Sequence, residues 1–339
     1  MMLRRFCLAA IAGLSLAGPA SSAFAWGATG HRLVSTVGVQ SLPPELPAFL
    51  RSPAVQWQIG ELGREPDRSK ESGQPHDADL DPAHFVDVND DGTVMGGPML
   101  SALPPTRDAY AKALAAVGVD MGKAGYLPYA LADGWQQLVK DFGYWRVDVV
   151  GERRGRSKAE RAWFAADRRL RELIITRDLG YWSHFAGDAS QPLHVSIHYN
   201  GWGEGPNPNG YTLERIHGPF EGPFVHDNLS AAAVRAALRP PTVCTGPVLA
   251  CMAGYLTATQ ARAEPLYALW KQGGFQPGDP RGRAFATQQV AAGASMLRDL
   301  VTGAWRASAQ STVGYPAVRV DDVEAGRTPP PHENMVGLD

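Results

Sequence analysis

Apolar residues recur along most of this chain at three- and four-residue steps, the spacing that builds one face of a helix. The recurrence predicts helices over 30–42, 106–117, 126–142, 158–189, 231–238, 252–272 and 283–306. The stretch 161–181 is rich in Ala, Leu, Arg and Glu, which favour helix. Pro192 then ends or re-aims that helix, because proline lacks an amide hydrogen and clashes with the preceding turn. Strand signals are short or absent, and no repeat is sustained. The expectation is all-α: a single compact multi-helix domain over 26–309, with long irregular loops. From about Gln310 onward Pro, Val and charge lack a period, so 310–339 reads as an extended C-terminal tail, packed on the core or loose.

The opening residues have another pattern. Arg4 and Arg5 precede an apolar run from Phe6 to Ala17, and Ala23-Phe24-Ala25 follows. This reads as a secretory signal peptide over 1–25, cut after Ala25, so the protein is expected to be secreted or periplasmic. The cut would free the α-amine of Trp26, five residues before His31. A free amine, its own carbonyl and that imidazole can chelate a metal; the plainer reading is an apolar anchor beside a surface histidine.

Other pairings of histidine with carboxylate follow. His184 and Asp188 are four apart, one turn on one helical face. His194 lies just past Pro192, and His217 and Glu221 repeat the four-residue spacing. Upstream stand Asp67, in Glu65-Pro66-Asp67-Arg68, and His84, in Ala83-His84-Phe85-Val86-Asp87. Five of the nine histidines lie in these motifs. Zinc takes imidazole nitrogen and carboxylate oxygen, and catalytic sites keep a position open for water. One His-x-x-x-Asp is weak evidence, since helices place such pairs by chance; the ordered set is far more specific.

That ordered set resembles the S1/P1 nuclease family and its relative, the bacterial zinc-dependent phospholipase C. Both are secreted trizinc phosphodiesterases on a mostly helical fold. The resemblance spans about 26–221, and 288–305 is similar to the family's last core helix. It implies a trizinc phosphodiesterase domain over 26–309. One zinc ion would be held by Asp67, His84, His184 and Asp188, and a second by His194, His217 and Glu221. The third would be held by the Trp26 amine and carbonyl, His31 and a bridging Asp188. The 23-residue step from His194 to His217 follows the nuclease frame, whereas Glu221 matches the phospholipase, where nucleases carry Asp. The nuclease neighbourhood Asn-Leu-His-x-x-Trp-Asp is absent here, and Lys70 stands where nucleases place Arg.

The implied reaction is hydrolysis of a phosphoric ester. Paired zinc ions lower the pKa of bound water towards about 7 and offset charge on phosphoryl oxygens. Asp67 would orient or deprotonate the attacking water, or serve as a ligand only. Lys70 or Arg68 would clamp the phosphate, or be a solvated cation beside Glu65 and Glu71. Phe85 and Asp87 match nuclease positions that stack on and hydrogen-bond an unpaired base, although the phospholipase shares both. Tyr199, Trp202 and Tyr211 either rim the cleft or pack the Gly/Asn/Pro-rich loop 200–210 internally. His76, His198 and His226 read as exposed or supporting residues.

Composition narrows the partners. With 32 basic and 34 acidic residues there is no basic surplus, so a nucleic acid would be held mainly by metals and local contacts. Past the signal no apolar run approaches the ~18 residues of a membrane span, and no basic amphipathic segment suggests a stable membrane anchor. Cys7 leaves with the signal; Cys244 and Cys251 either pair or stay free thiols. Asp87-Val88-Asn89-Asp90-Asp91-Gly92 imitates a calcium loop, but its twelfth position is Pro98, so a tight acidic turn is expected. Three functions remain open for what is expected to be a monomer. The favoured one is a nuclease on single-stranded DNA or RNA with 3′-nucleotidase activity in addition; the first alternative is a phospholipase C on phospholipid headgroups, and the second a non-catalytic metal-binding scaffold.

Overall fold

A computed structural model describes residues 26–337 apart from Glu71, Glu204 and Val243. The expected signal peptide and its cleavage junction lie outside the described residues. Helix accounts for 64% of the described residues and strand for 3%. The molecule is all-α, and it forms a single body.

Its frame is a long helical hairpin. Helix Leu127–Arg154 is followed by helix Lys158–Asp188 across a three-residue connection. Ser157 caps the second helix: its hydroxyl accepts from Glu160 N at 3.0 Å, and the Glu160 carboxylate accepts from Arg156 N at 2.8 Å. These bonds satisfy amides that a helix start leaves without partners. Leu131, Leu138 and Phe142 from one arm and Ile175, Leu179 and Trp182 from the other are buried in one cluster. Burying each such side chain stabilises the fold by about 1.5–3 kcal/mol.

Two more helices complete the support. Gly27–Gln40 and Pro280–Ser308 pack together through Val34, Val37, Val290, Ala291 and Ala294, all fully buried. Pro53–Leu62 lies against the end of Lys158–Asp188 that carries His184. The core therefore converges on the amino-terminal turns of the first helix and the carboxyl-terminal turns of the 31-residue one.

Some boundaries differ from the sequence pattern. The helix expected over 126–142 runs on to Arg154, through Gly143 and Gly151, whose low propensity hid the continuation. The single helix expected over 252–272 is two, Val248–Gln260 and Ala263–Lys271. Pro265 cannot donate to the Ala261 carbonyl, so the helix restarts with proline in its first turn. Residues 310–337 are not extended. They form an antiparallel pair, Thr312–Val313 with Val318–Arg319, and short helices Val320–Glu324 and His332–Val336. Val313, Val320 and Val323 bury against Val147 and Phe164 of the hairpin. Cys244 and Cys251 are joined by a disulfide.

Candidate metal centre

The last turns of Lys158–Asp188 place His184 and Asp188 on one face, His184 Nε2 lying 3.4 Å from Asp188 Oδ2. Helix Glu65–Lys70 brings Asp67 to the same spot, and a 3₁₀ turn, Asp81–His84, brings His84. His84 Nδ1 stands 3.1 Å from Asp188 Oδ2 and 2.9 Å from His184 Nε2. Asp67 Oδ1 lies 3.6 Å from His184 Nε2. From the first helix His31 stacks on His184, ring centroids 3.7 Å apart, with Nε2 3.6 Å from Asp188 Oδ1. A separate turn, Pro192–His194, presents His194. Opposite it, His217 and Glu221 come from a helical turn that widens around Pro223. Every one of these side chains is buried.

The ligating atoms fall into three groups, each within 4.8 Å: His31 with His184 and Asp188; Asp67 with His84 and His184; His194 with His217 and Glu221. Both nitrogens of His31, Asp188 Oδ1, His194 Nε2 and Glu221 Oε1 are buried without any hydrogen-bond partner. His217 Nε2 comes within 2.7 Å of Glu221 Oε2 yet lacks hydrogen-bond geometry, as expected of two atoms aimed at a common third. A buried polar atom left unpaired costs about 1–3 kcal/mol. Such a concentration fits a donor set built for cations. Imidazole and carboxylate donors suit divalent zinc, and three groups are compatible with three ions.

Electrostatics point the same way. Burial lowers the pKa of His31, His84 and His194, and holds His184 down to about 3. These rings are neutral, the form that binds a metal. Backbone carbonyls set the tautomers: His184 Nδ1 donates to Gly63 O at 2.8 Å and His194 Nδ1 to His84 O at 2.6 Å. Each bond leaves Nε2 as the lone-pair donor. Burial raises Asp188 well above the usual carboxylate range, reinforced by Asp67. A bound cation would reverse that shift. Burial would also raise Glu221, but His217 and His194 outweigh it and take the carboxyl to about 2.

Trp26 is fully buried; its indole N–H donates to Ser190 Oγ at 2.9 Å and its carbonyl accepts from Gly30 N at 3.0 Å. Gly187 makes room for the neighbouring His31 ring. A Cβ there would sit 2.8 Å from His31 Nδ1 and 3.7 Å from Trp26 Cδ1. Trp26 is therefore anchored beside His31 and the residue preceding Asp188.

A cleft of about 960 Å³ opens on this wall, lined by His84, His194 and His217 together with Lys70, Phe85 and Asp87. Lys70 Nζ lies 3.3 Å from both Asp67 Oδ1 and Asp81 Oδ1. Burial alone would lower its pKa, but Asp67, Asp81 and Asp188 raise it, so the cation persists. Arg68 instead pairs with Glu65 outside the cleft. Burial pushes Asp87 up to about 7, with Lys123 opposing. Gly125 fixes this strip of chain: its φ is +76°, and a Cβ would meet Phe85 O at 2.1 Å. Of the loop aromatics, Tyr199 is 52% exposed on the cleft lip, Trp202 both lines the cleft and packs on Tyr267, and Tyr211 packs on Tyr267 away from it. His198 is buried against Trp202 and bonded to Asp90, while His76 and His226 are exposed. The imitation calcium loop is a tight turn, with Gly92 N bonded to Asn89 O and Asp91 bonded to Thr93.

Sequence reasoning missed the supporting atoms: the Gly63 carbonyl, Asn200, whose side chain accepts from His217 N at 3.2 Å, and Gln191. None belongs to a spacing motif, and a backbone carbonyl leaves no trace in residue type. Comparison with family models, with curated proteins and with solved structures finds no match to this chain.

Proposed function

We propose that this chain is an exported, monomeric, zinc-dependent phosphodiesterase of the S1/P1 nuclease type, acting on single-stranded DNA or RNA, with Trp26 as its mature amino terminus. One observation supports the reading: three buried groups of His, Asp and Glu atoms each include at least one atom without a hydrogen-bond partner, and two of the groups reach the cleft through His84, His194 and His217. His194, His217 and Glu221 supply only three protein ligands, and two of them line the cleft, which favours hydrolysis over a closed structural site.

Asp67, His84, His184 and Asp188 would hold one ion, His194, His217 and Glu221 a second, and Trp26, His31 and Asp188 a third. Zinc bound there supplies Lewis acidity, making water acidic and offsetting phosphoryl charge. The residues do the rest. Asp67 orients the attacking water through a carboxylate that Lys70 faces at 3.3 Å. Lys70, held cationic, draws the phosphate into the cleft. Phe85 offers a stacking face, and Asp87, titrating near neutrality, offers either a donor or an acceptor to a base edge.

A phospholipase C is the second reading. Glu221 favours it, as does an apolar cleft lip where Leu213 is 74% exposed beside Tyr199. The deciding experiment compares hydrolysis of single-stranded DNA and of phosphatidylcholine by zinc-loaded protein beginning at Trp26, each with a chelated control. Faster chelator-sensitive cleavage of DNA supports the nuclease. Faster phosphocholine release replaces it with the phospholipase, and no hydrolysis of either leaves a metal-binding scaffold.

A further inference from the structure

Gln191 is fully buried at the junction of three ligand-bearing segments. Its amide N–H donates to Asp188 O at 2.9 Å, and its backbone carbonyl accepts from His194 N at 3.0 Å. Its side-chain oxygen accepts from Leu193 N at 2.7 Å. Its side-chain nitrogen donates to Glu221 Oε2 at 3.1 Å. The Leu193 amide can only donate, so it fixes which end of the Gln191 amide is oxygen. The nitrogen must therefore face Glu221.

We infer that Gln191 is a positioning residue for the His194/His217/Glu221 site, setting that site's affinity for a divalent metal separately from the other two. The inference rests on the metal reading above. Glu221 is a long side chain, and its Oε1 has no partner. The Gln191 donor clamps Oε2 and restricts rotation of the carboxylate before a metal arrives. A neutral donor suits this task. A cation there would repel the metal, and a second carboxylate would repel Glu221. The bond to Leu193 N ties the same clamp to the turn that presents His194, so both ligands are set by one side chain.

The test is a zinc titration of the chain against a chromophoric chelator, with thermal unfolding of the metal-free protein alongside. Gln191→Met removes both side-chain bonds. Gln191→Glu keeps the acceptor for Leu193 N but replaces the donor that faces Glu221. In both variants one of three zinc equivalents should weaken roughly 10–100-fold, the usual cost of losing a group that orients a metal ligand. The other two should bind as in the unaltered chain, and metal-free Gln191→Met, which places no charge beside Glu221, should remain folded. Three equivalents at unaltered affinity, weakening shared equally by all three, or loss of fold in both variants would each overturn the inference. If the unaltered chain takes up no zinc, the metal reading fails first and takes this inference with it.

Discussion

At Asp188 two demands meet in one carboxylate. Its Oδ1 faces His31 and its Oδ2 faces His84 and His184. On the proposed trizinc reading, Asp188→Asn should release two of three zinc equivalents and cut hydrolysis by more than about 100-fold, beyond the usual loss from an orienting group alone. Metal analysis after dialysis checks this; retention of three equivalents would refute a shared ligand. Asp148 poses the opposite case, a buried acid with no site to serve. Neither of its oxygens has a hydrogen bond, and burial, helped by Asp167, lifts it to about 9, against Arg171 and Arg168. A folded pKa above the unfolded value means the native state holds the proton more tightly. Its contribution is fully present below about pH 4 and is lost as pH rises through about 9. Asp148→Asn should thus raise Tm by about 2 °C or more at pH 8, with little change at pH 4. Of these two, only Asp188 was legible in the sequence, because its four-residue step from His184 is a helical signature. Asp148 lies in a stretch whose helix went unread.

Elements set where the ligands meet. Helix Lys158–Asp188 was readable because its residues favour helix, and so was the stop imposed by Pro192. The short turns that carry Asp67, His84 and Glu221 were not, since their conformation is settled by packing rather than propensity. Gly125 illustrates this: its positive φ and its approach to Phe85 O concern residues 40 positions apart in no repeating pattern. Gly125→Ala should destabilise by more than about 1 kcal/mol from backbone strain alone and displace Phe85. Thermal unfolding and weakened binding of substrate would register both effects. The disulfide is a milder constraint, closing a short loop away from the cleft. Replacing Cys244 and Cys251 by Ser should cost about 2 kcal/mol by chain entropy and leave zinc stoichiometry unchanged.

Across the whole molecule the near balance of 32 basic and 34 acidic residues leaves little general attraction for a polyanion. If the substrate is single-stranded DNA, log KM should depend on log salt with a slope of only about 1, as one or two phosphate contacts require. A steep slope would point to a basic track that the cleft does not have. The backbone also joins the two halves of the centre. His194 Nδ1 donates to His84 O, and Val86 N donates back to His194 O at 2.9 Å. That reciprocal pair works as a gauge block: the separation between the two ligand sets is machined into the main chain before any ion or substrate arrives. Any group bound between the two sets must fit that gap, so what the site admits is a property of the fold's stiffness as much as of its chemistry.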